Sequence, residues 1–336
     1  MENEKKIINS GQAINDALRI IGERDKNVLL FAEGIDDPSA MYGTTKNLSH
    51  VYGKDRIIEM PISENGLCGV AIGAAMAGKR PVLSFHRVEF ALLAMEQIVN
   101  NAAKMHYISN GHHKVPIVIR LVVGRGWGQG PEHSQSLETL FSYIPGLKVL
   151  MPTFPDDYKG MLISAIEDDN PIVIIEHRWT HYVKGSVLGG YYKSDITKPK
   201  KIKKGNDYTI VSSSFSTLEA QKASNAFDKI GLSIDLFDLR VTRPLQLEEV
   251  KSSVKKTGAI CVVDTGYKTL GLGSEIVSQV FESCFSSMKL SPIRIGMPDH
   301  PTPSSRGYIQ GLYPDAEKIV RSISSSLSLP NEKLEA

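Results

Sequence analysis

Glu64 stands where a turn gives way to a run of small and apolar residues, Pro61-Ile-Ser-Glu-Asn-Gly-Leu-Cys-Gly-Val-Ala-Ile-Gly-Ala-Ala-Met-Ala-Gly78. Helix N-termini favour anions, so an acid at this point is either a helix cap or a buried carboxyl with a task. Glu33 follows a short apolar run, Val28–Ala32, in the same way. His133 ends the stretch Gly124-Arg-Gly-Trp-Gly-Gln-Gly-Pro-Glu-His133. A lone histidine is commonly structural, but an imidazole beside a glycine-rich loop can also move protons near neutral pH. Two acids and a histidine at strand ends point to proton-transfer chemistry. Other chemistries lack their residues. No Gly-x-Ser-x-Gly elbow for a serine nucleophile occurs. The dinucleotide fingerprint fails because Gln129 stands where its third glycine belongs, and no Gly-Lys-Ser/Thr cradles a phosphate. Cys68, Cys261 and Cys284 lack metal-ligand spacing, and so sparse a set fits a reducing compartment.

The elements that must hold these groups follow from periodicity. Gly66, Gly69, Gly73 and Ala77 recur every three or four positions and share one helical face. Glycine costs about 1 kcal/mol relative to alanine inside a helix, so the stripe implies that a second backbone lies close. Continuous apolar strands alternate with helices: Val28–Phe31, Arg56–Met60, Pro81–Phe85, Val115–Val123, Lys148–Met151 and Ile172–Glu176, with one long helix expected from about Phe90 to His106. That pattern implies an α/β fold, a parallel sheet covered on both faces. From about Val183 to Asp207 it lapses into glycine, tyrosine and a lysine cluster, and then it resumes. The expected division is a first α/β domain at 1–185, a linker at 186–206 and a smaller α/β domain at 207–336.

At 336 residues there is length for two cores. A net charge of +2 gives no electrostatic case for nucleic acid. No apolar stretch approaches the roughly 20 residues of a membrane span, and the start, Met-Glu-Asn-Glu-Lys-Lys, does not read as a signal peptide. A cytoplasmic location without membrane or nucleic-acid partners is the expectation.

The run Asp55-Arg-Ile-Ile-Glu-Met-Pro-Ile-Ser-Glu-Asn-Gly66 followed by the glycine-striped helix resembles the β subunit of thiamine-diphosphate-dependent 2-oxo acid dehydrogenases, with pyruvate dehydrogenase the closest kind. Glu96-Gln-Ile-Val-Asn-Asn-Ala-Ala-Lys104, His133-Ser-Gln135, Pro145-Gly-Leu-Lys-Val149, Asp169-Asn-Pro171 and Leu239-Arg-Val-Thr-Arg-Pro244 continue the resemblance in order. It implies a transketolase-like pyrimidine-binding domain followed by a transketolase C-terminal domain. It further implies that Glu64 hydrogen-bonds N1′ of the thiamine diphosphate aminopyrimidine and favours its imino tautomer. Glu33 would border that pocket, Phe90 would stack on the pyrimidine, and His133 would meet the 2-oxo acid substrate or an incoming lipoyl group. Ile117, Ala165, Ile166, Asp168 and Asn170 match positions that hold a structural potassium ion.

The Gly-Asp-Gly…Asn motif that holds Mg²⁺ and diphosphate is absent from this chain, and the family places it on an α subunit. The resemblance therefore implies an α2β2 assembly with cofactor at the α–β interface, beside a lipoyl acyltransferase core. Departures cluster at the expected mouth of the site: Ser84-Phe-His-Arg-Val88, Gly34, Glu132 and His112-His113. His86, Arg87 and Glu132 would also suit a hydroxylated acceptor. The alternative is thus the C-terminal half of a split transketolase or an acyloin-forming carboligase that transfers a two-carbon unit to an aldehyde or sugar. A non-catalytic assembly subunit is the third reading.

Overall fold

A computed structural model describes residues 4–35, 37, 40–124 and 129–329. The chain packs as two units, one of Met1–Val123 with Leu140–Ile196 and one of Gly124–Thr139 with Thr197–Ala336.

In the first unit, β1 (Lys5–Asn9) leads into α1 (Ser10–Arg24). Asn9 Oδ1 accepts from Gln12 N at 2.8 Å while Gln12 Oε1 accepts from Asn9 N at 2.9 Å. This reciprocal cap contributes about 1 kcal/mol. Ala13, Ile14, Ala17, Leu18 and Ile21 form the buried stripe of the helix. Next come β2 (Val28–Ala32), the one-turn α2 (Ser49–Tyr52), β3 (Ile57–Glu59), α3 (Glu64–Met76) and β4 (Arg80–Phe85). After α4 (Val88–Ala91) and α5 (Ala103–Ile108) the chain forms β5 (Val118–Val123), α6 (Glu138–Ser142), β6 (Lys148–Leu150), α7 (Pro155–Ile166), β7 (Ile172–His177) and β8 (Lys184–Leu188). Strands of this unit lie in the order β6-β7-β5-β4-β2-β3, every pair parallel. β5 and β7 are buried along their whole length.

The expected continuous helix from Phe90 to His106 is broken. A 3₁₀ turn at Leu92–Ala94 and a π-helical stretch at Gln97–Ala102 separate α4 from α5. The wider π turn brings Gln97 against α3, where a Cβ on Gly69 would come 3.3 Å from Gln97 Oε1. Helical periodicity alone does not reveal such a turn.

Arg120, in the middle of β5, is fully buried. Its Nε donates to Glu176 Oε1 at 2.6 Å and its Nη2 to Glu176 Oε2 at 3.0 Å, a bidentate pair between neighbouring strands. His181 Nε2 lies 2.9 Å from Glu176 Oε2. Burial alone would raise the Glu176 carboxyl, but the Arg120 charge and the His181 hydrogen bond hold it down to about 2. Burial and the neighbouring His181 push His177 down to about 3.

The second unit contains β9 (Lys200–Lys203), β10 (Tyr208–Ser212), α8 (Phe215–Asp228), β11 (Ile234–Asp238), the short β12 (Val241–Arg243) and α9 (Glu248–Thr257). It ends with β13 (Ile260–Tyr267), α10 (Leu272–Cys284), β14 (Ile293–Met297) and α11 (Ala316–Ser326). The sheet runs β14-β13-β10-β11-β9, parallel except for β9. One buried cluster packs Phe227 and Ile319 against one face of this sheet, and another packs Val250 and Ile276 on other residues of the same strands.

The stretch expected to be a linker at 186–206 carries structure. β8 pairs with β1, and β9 forms an edge strand on β11. Of the lysines that read as a solvated cluster, Lys201 and Lys203 lie on this edge strand and have partners. Lys201 Nζ is 3.1 Å from Asp235 Oδ2, and Lys203 pairs with Asp228. Among the described residues, no helix is long and apolar enough to cross a membrane.

Glu176→Gln leaves the fully buried Arg120 guanidinium without its counter-charge, and we expect a loss of about 3–5 kcal/mol in urea unfolding. The sign of the pH effect follows from the depressed carboxyl. The stability this pair contributes is present above the ordinary glutamate value and is lost as pH falls towards 2; a wild-type acid-unfolding limb that the variant shares unchanged would contradict it.

Candidate active site

Three adjacent strands deliver the candidate groups. Ala32 at the end of β2 is in register with Glu59 of β3 and with Ser84 of β4. Glu33 follows β2, Glu64 follows β3 after a short exposed turn, and His86 follows β4. In parallel sheets the carboxyl ends of strands are where ligands bind. Glu59 fastens this rim, because its Oε1 accepts from Gly34 N at 2.5 Å and its Oε2 from Ile35 N at 2.8 Å.

Glu64 is the first helical residue of α3, Ser63 takes the cap position, and the Ser63 side chain makes no capping bond. The cap reading of Glu64 thus falls away. Its side chain is 6 % exposed and lies on the face that α3 buries with Cys68, Ala71, Ile72 and Ala75. Among the described residues no basic side chain pairs with it. Burial first, and the charge of Glu64 second, raise the Glu33 carboxyl, while His86 opposes the shift and Glu59 adds to it. Glu33, Glu59, Glu64 and His86 are therefore one electrostatic group. His86 Nε2 lies 2.6 Å from Glu33 O, and Tyr42 Oη donates to His86 O at 3.1 Å.

Phe90 belongs to α4, half-buried, three residues after the buried Arg87. His133 is half-buried in the turn after Gly130 and belongs to the second unit, whereas Glu33, Glu64 and Phe90 belong to the first. Gly130 has a φ of +70°, and a Cβ there would come 2.4 Å from Ser304 Oγ, so this turn requires glycine. Residues 125–128 of the glycine-rich loop lie outside the described residues.

Among the described residues, no second backbone meets the glycine stripe of α3. Gly66, Gly73 and Ala77 are exposed, and a Cβ on Gly73 would touch nothing within 4 Å. Val70 and Ile62 beside them are 58 % and 86 % exposed. The close approach read from the stripe is thus outward, towards whatever covers this face.

The residues matched to a potassium site carry other partners. Arg80 Nη1 donates to Ile166 O and to Asp168 O, both at 3.0 Å. Ala165 O accepts from Asp168 N, and Ile117 O accepts from Ile172 N. The Asp168 carboxylate binds Lys148 Nζ at 2.5 Å and Asn170 Nδ2 at 2.7 Å, and these hold it below the ordinary range despite burial. Side-chain cations already serve Ile166 O, Asp168 O and the Asp168 carboxylate, so this donor set does not fit a potassium ion as arranged, and no role rests on one. Among the described residues no group of three or more His, Cys, Asp or Glu side chains could hold a metal.

Sequence reasoning missed the Arg120–Glu176–His181 network and the buried Glu138. An arginine inside the apolar run Val115–Val123 was the available signal for the first; nothing local marked the second.

Residues 6–181 match the transketolase pyrimidine-binding domain and residues 198–319 the transketolase C-terminal domain. The chain is 35 % identical over 322 residues to the pyruvate dehydrogenase E1 component subunit beta, mitochondrial, of Caenorhabditis elegans, covering 94 % of this chain and 92 % of that protein. It is 35 % identical over 284 residues to the corresponding beta subunit of Rickettsia bellii, covering 84 % and 87 %. In fold it is similar to a split-gene transketolase solved as an inactive beta4 tetramer, with a TM-score of 0.78, 21 % identity and coverage of 96 % and 99 %. A buried acid at the head of the helix after β3, in a chain co-linear with these relatives through both domains, places it: the chain belongs to the transketolase-like family and, within it, to the pyruvate dehydrogenase E1 beta-subunit group.

Proposed function

We propose that this chain is the β subunit of a thiamine-diphosphate-dependent 2-oxo acid dehydrogenase of the pyruvate dehydrogenase kind, decarboxylating a 2-oxo acid and passing the acyl group to a lipoyl carrier. The observation that carries it is Glu64, a buried carboxyl at the head of α3 with which no ion pair forms among the described residues. A carboxyl so placed can hydrogen-bond a nitrogen of a bound heterocycle. Thiamine diphosphate, when bound, supplies the nucleophilic carbon and the electron sink for decarboxylation. This chain's own share is to hold and orient. Glu64 holds a proton at the aminopyrimidine N1′, Glu33 lies in its field and borders the pocket, and Phe90 presents a ring face that excludes water. His133 is assigned to a proton on substrate oxygen. Sequence identity favours the dehydrogenase over a split transketolase, 35 % against 21 %.

The diphosphate and its Mg²⁺ are assigned to an α subunit in an α2β2 assembly. Exposed Ile62, Val70 and the small-residue face of α3 support docking there, as small residues let two backbones approach closely. A lipoyl acyltransferase core is the acyl acceptor under this reading. The relatives' names include mitochondrial and bacterial proteins, so compartment does not travel with the family.

Glu64→Gln in the reconstituted complex should lower turnover of pyruvate with an artificial electron acceptor by about 10²-fold or more, and it should bring the Glu33 carboxyl down, since one of the charges that lifts it is gone. Carboxyl NMR titration reads the second effect. Full activity in this variant discards the assignment. Adding thiamine diphosphate and Mg²⁺ should raise the melting temperature only after the α subunit is mixed in, and exchanging potassium for sodium should leave it within about 1 °C; a potassium-specific shift would restore the ion to the Asp168 site.

A further inference from the structure

The peptide unit between Glu33 and Gly34 is held at both of its polar ends. Its carbonyl, Glu33 O, lies 2.6 Å from His86 Nε2, and its N–H, that of Gly34, donates to Glu59 Oε1 at 2.5 Å. A carbonyl oxygen only accepts, so the imidazole nitrogen that faces it carries the hydrogen. Glu59 grips the same turn with its other oxygen, since Oε2 accepts from Ile35 N at 2.8 Å. The turn needs glycine for its backbone rather than for space. Gly34 has a φ of +59°, yet no described atom lies within 4 Å of where its Cβ would stand.

Gly34 and His86 are two of the departures at the expected mouth of the site, and the fold makes them neighbours at this one peptide unit. His86 is fixed in its turn. Tyr42 Oη donates to His86 O at 3.1 Å, and the two rings lie 6.5 Å apart, tilted by 48°. The guanidinium carbon of Arg178 stands 4.0 Å from the centroid of the Tyr42 ring. Tyr42 itself has a φ of +59°, a left-handed conformation uncommon for tyrosine. Such a backbone persists where the contacts around it over-determine it. Glu33, Gly34, Tyr42, Glu59, His86 and Arg178 all belong to the first unit.

We propose that His86 is a positioning residue for Glu33: it holds the Glu33 carbonyl while Glu59 holds the N–H of the same peptide unit, and together they fix the backbone that carries the Glu33 side chain. This rests on the reading of Glu33 as a group that borders the cofactor pocket. A peptide unit is planar, so its orientation is set by the two torsions that flank it, here ψ of Glu33 and φ of Gly34. Glycine is permissive in φ, which would make this joint the softest point of the rim. A bond at one end of the plane leaves it free to swing about that end. Bonds at both ends, from a residue after β4 and from one on β3, leave it one orientation. His86 thus restores, through a side-chain donor, the stiffness that glycine gives up.

The test sets His86→Ala against His86→Gln, whose side-chain amide can donate to Glu33 O as the imidazole does. In the full chain, amide exchange at Gly34 and Ile35, read by NMR and corrected for intrinsic rate, should quicken about tenfold in His86→Ala and stay near the wild-type rate in His86→Gln. Equal protection in wild type and both variants would overturn the clamp. In the reconstituted complex, His86→Ala should raise the KM for thiamine diphosphate about tenfold with the KM for pyruvate unchanged, and His86→Gln should restore it. A loss that glutamine does not restore, or one shared equally by both KM values, would sink the positioning role. Glu33→Ala should raise the same KM, and adding His86→Ala to it should do no further harm; additive losses would mean that His86 acts by another route and would discard the proposal. Glu33→Ala with an unchanged KM would fail at the reading of Glu33 itself, while the exchange comparison still judged the clamp.

Discussion

A carboxylate taken out of water costs several kcal/mol unless a cation or a set of donors replaces its hydration shell. The first unit meets that demand at three points with a cation. Glu176 has the bidentate Arg120, Asp168 has Lys148, and Asp16 has the buried Lys159 at 2.7 Å. Glu64 differs from these three: it is buried on α3, and among the described residues no ion pair forms with it. Under the proposed function, the nitrogen of the bound heterocycle is the partner that Glu64 does not find among the described residues. The paired acids around it do complementary work, since Arg120–Glu176 ties β5 to β7 and Glu59 ties the loop after β2 to β3.

The second unit repeats the contrast. Asp235, fully buried, is neutralised by Lys201 and Lys256 at 3.1 and 3.0 Å. The Glu138 carboxyl is instead bonded by the Thr265 hydroxyl and pushed up by burial first and by the Asp264 charge second.

How much of this could be read beforehand follows from how local each cause is. The strands and most helices were legible because continuous apolar runs and 3.6-residue stripes are local, and the glycines and acid of α3 sit within one such run. The π turn at Gln97–Ala102 was not, since it depends on what Gln97 packs against across the fold. The lysines of β9 misread as linker for the same reason. Charge pattern alone does not distinguish a solvated run from an edge strand whose lysines meet Asp235 and Asp228 on other elements. Glu138 was invisible because its partner lies 127 residues away. The direction of the glycine stripe was also undetermined: periodicity says that one face is small, and only burial says that the face looks outward.

That outward direction bears on why the site is built on so unpromising a helix. α3 has glycine at positions 66, 69 and 73, each costing about 1 kcal/mol relative to alanine, and its N-cap side chain makes no capping bond. The face of α3 that buries Glu64 is covered, while among the described residues nothing covers Gly66, Val70, Gly73 and Ala77, which are exposed. A partner backbone seated on those small residues would bury the second face and offset the propensity cost. The same contact would immobilise the helix whose first residue is the acid. Binding of the partner and positioning of Glu64 are then consequences of one packing event, which gives a physical reason for a β subunit to be competent only in its assembly.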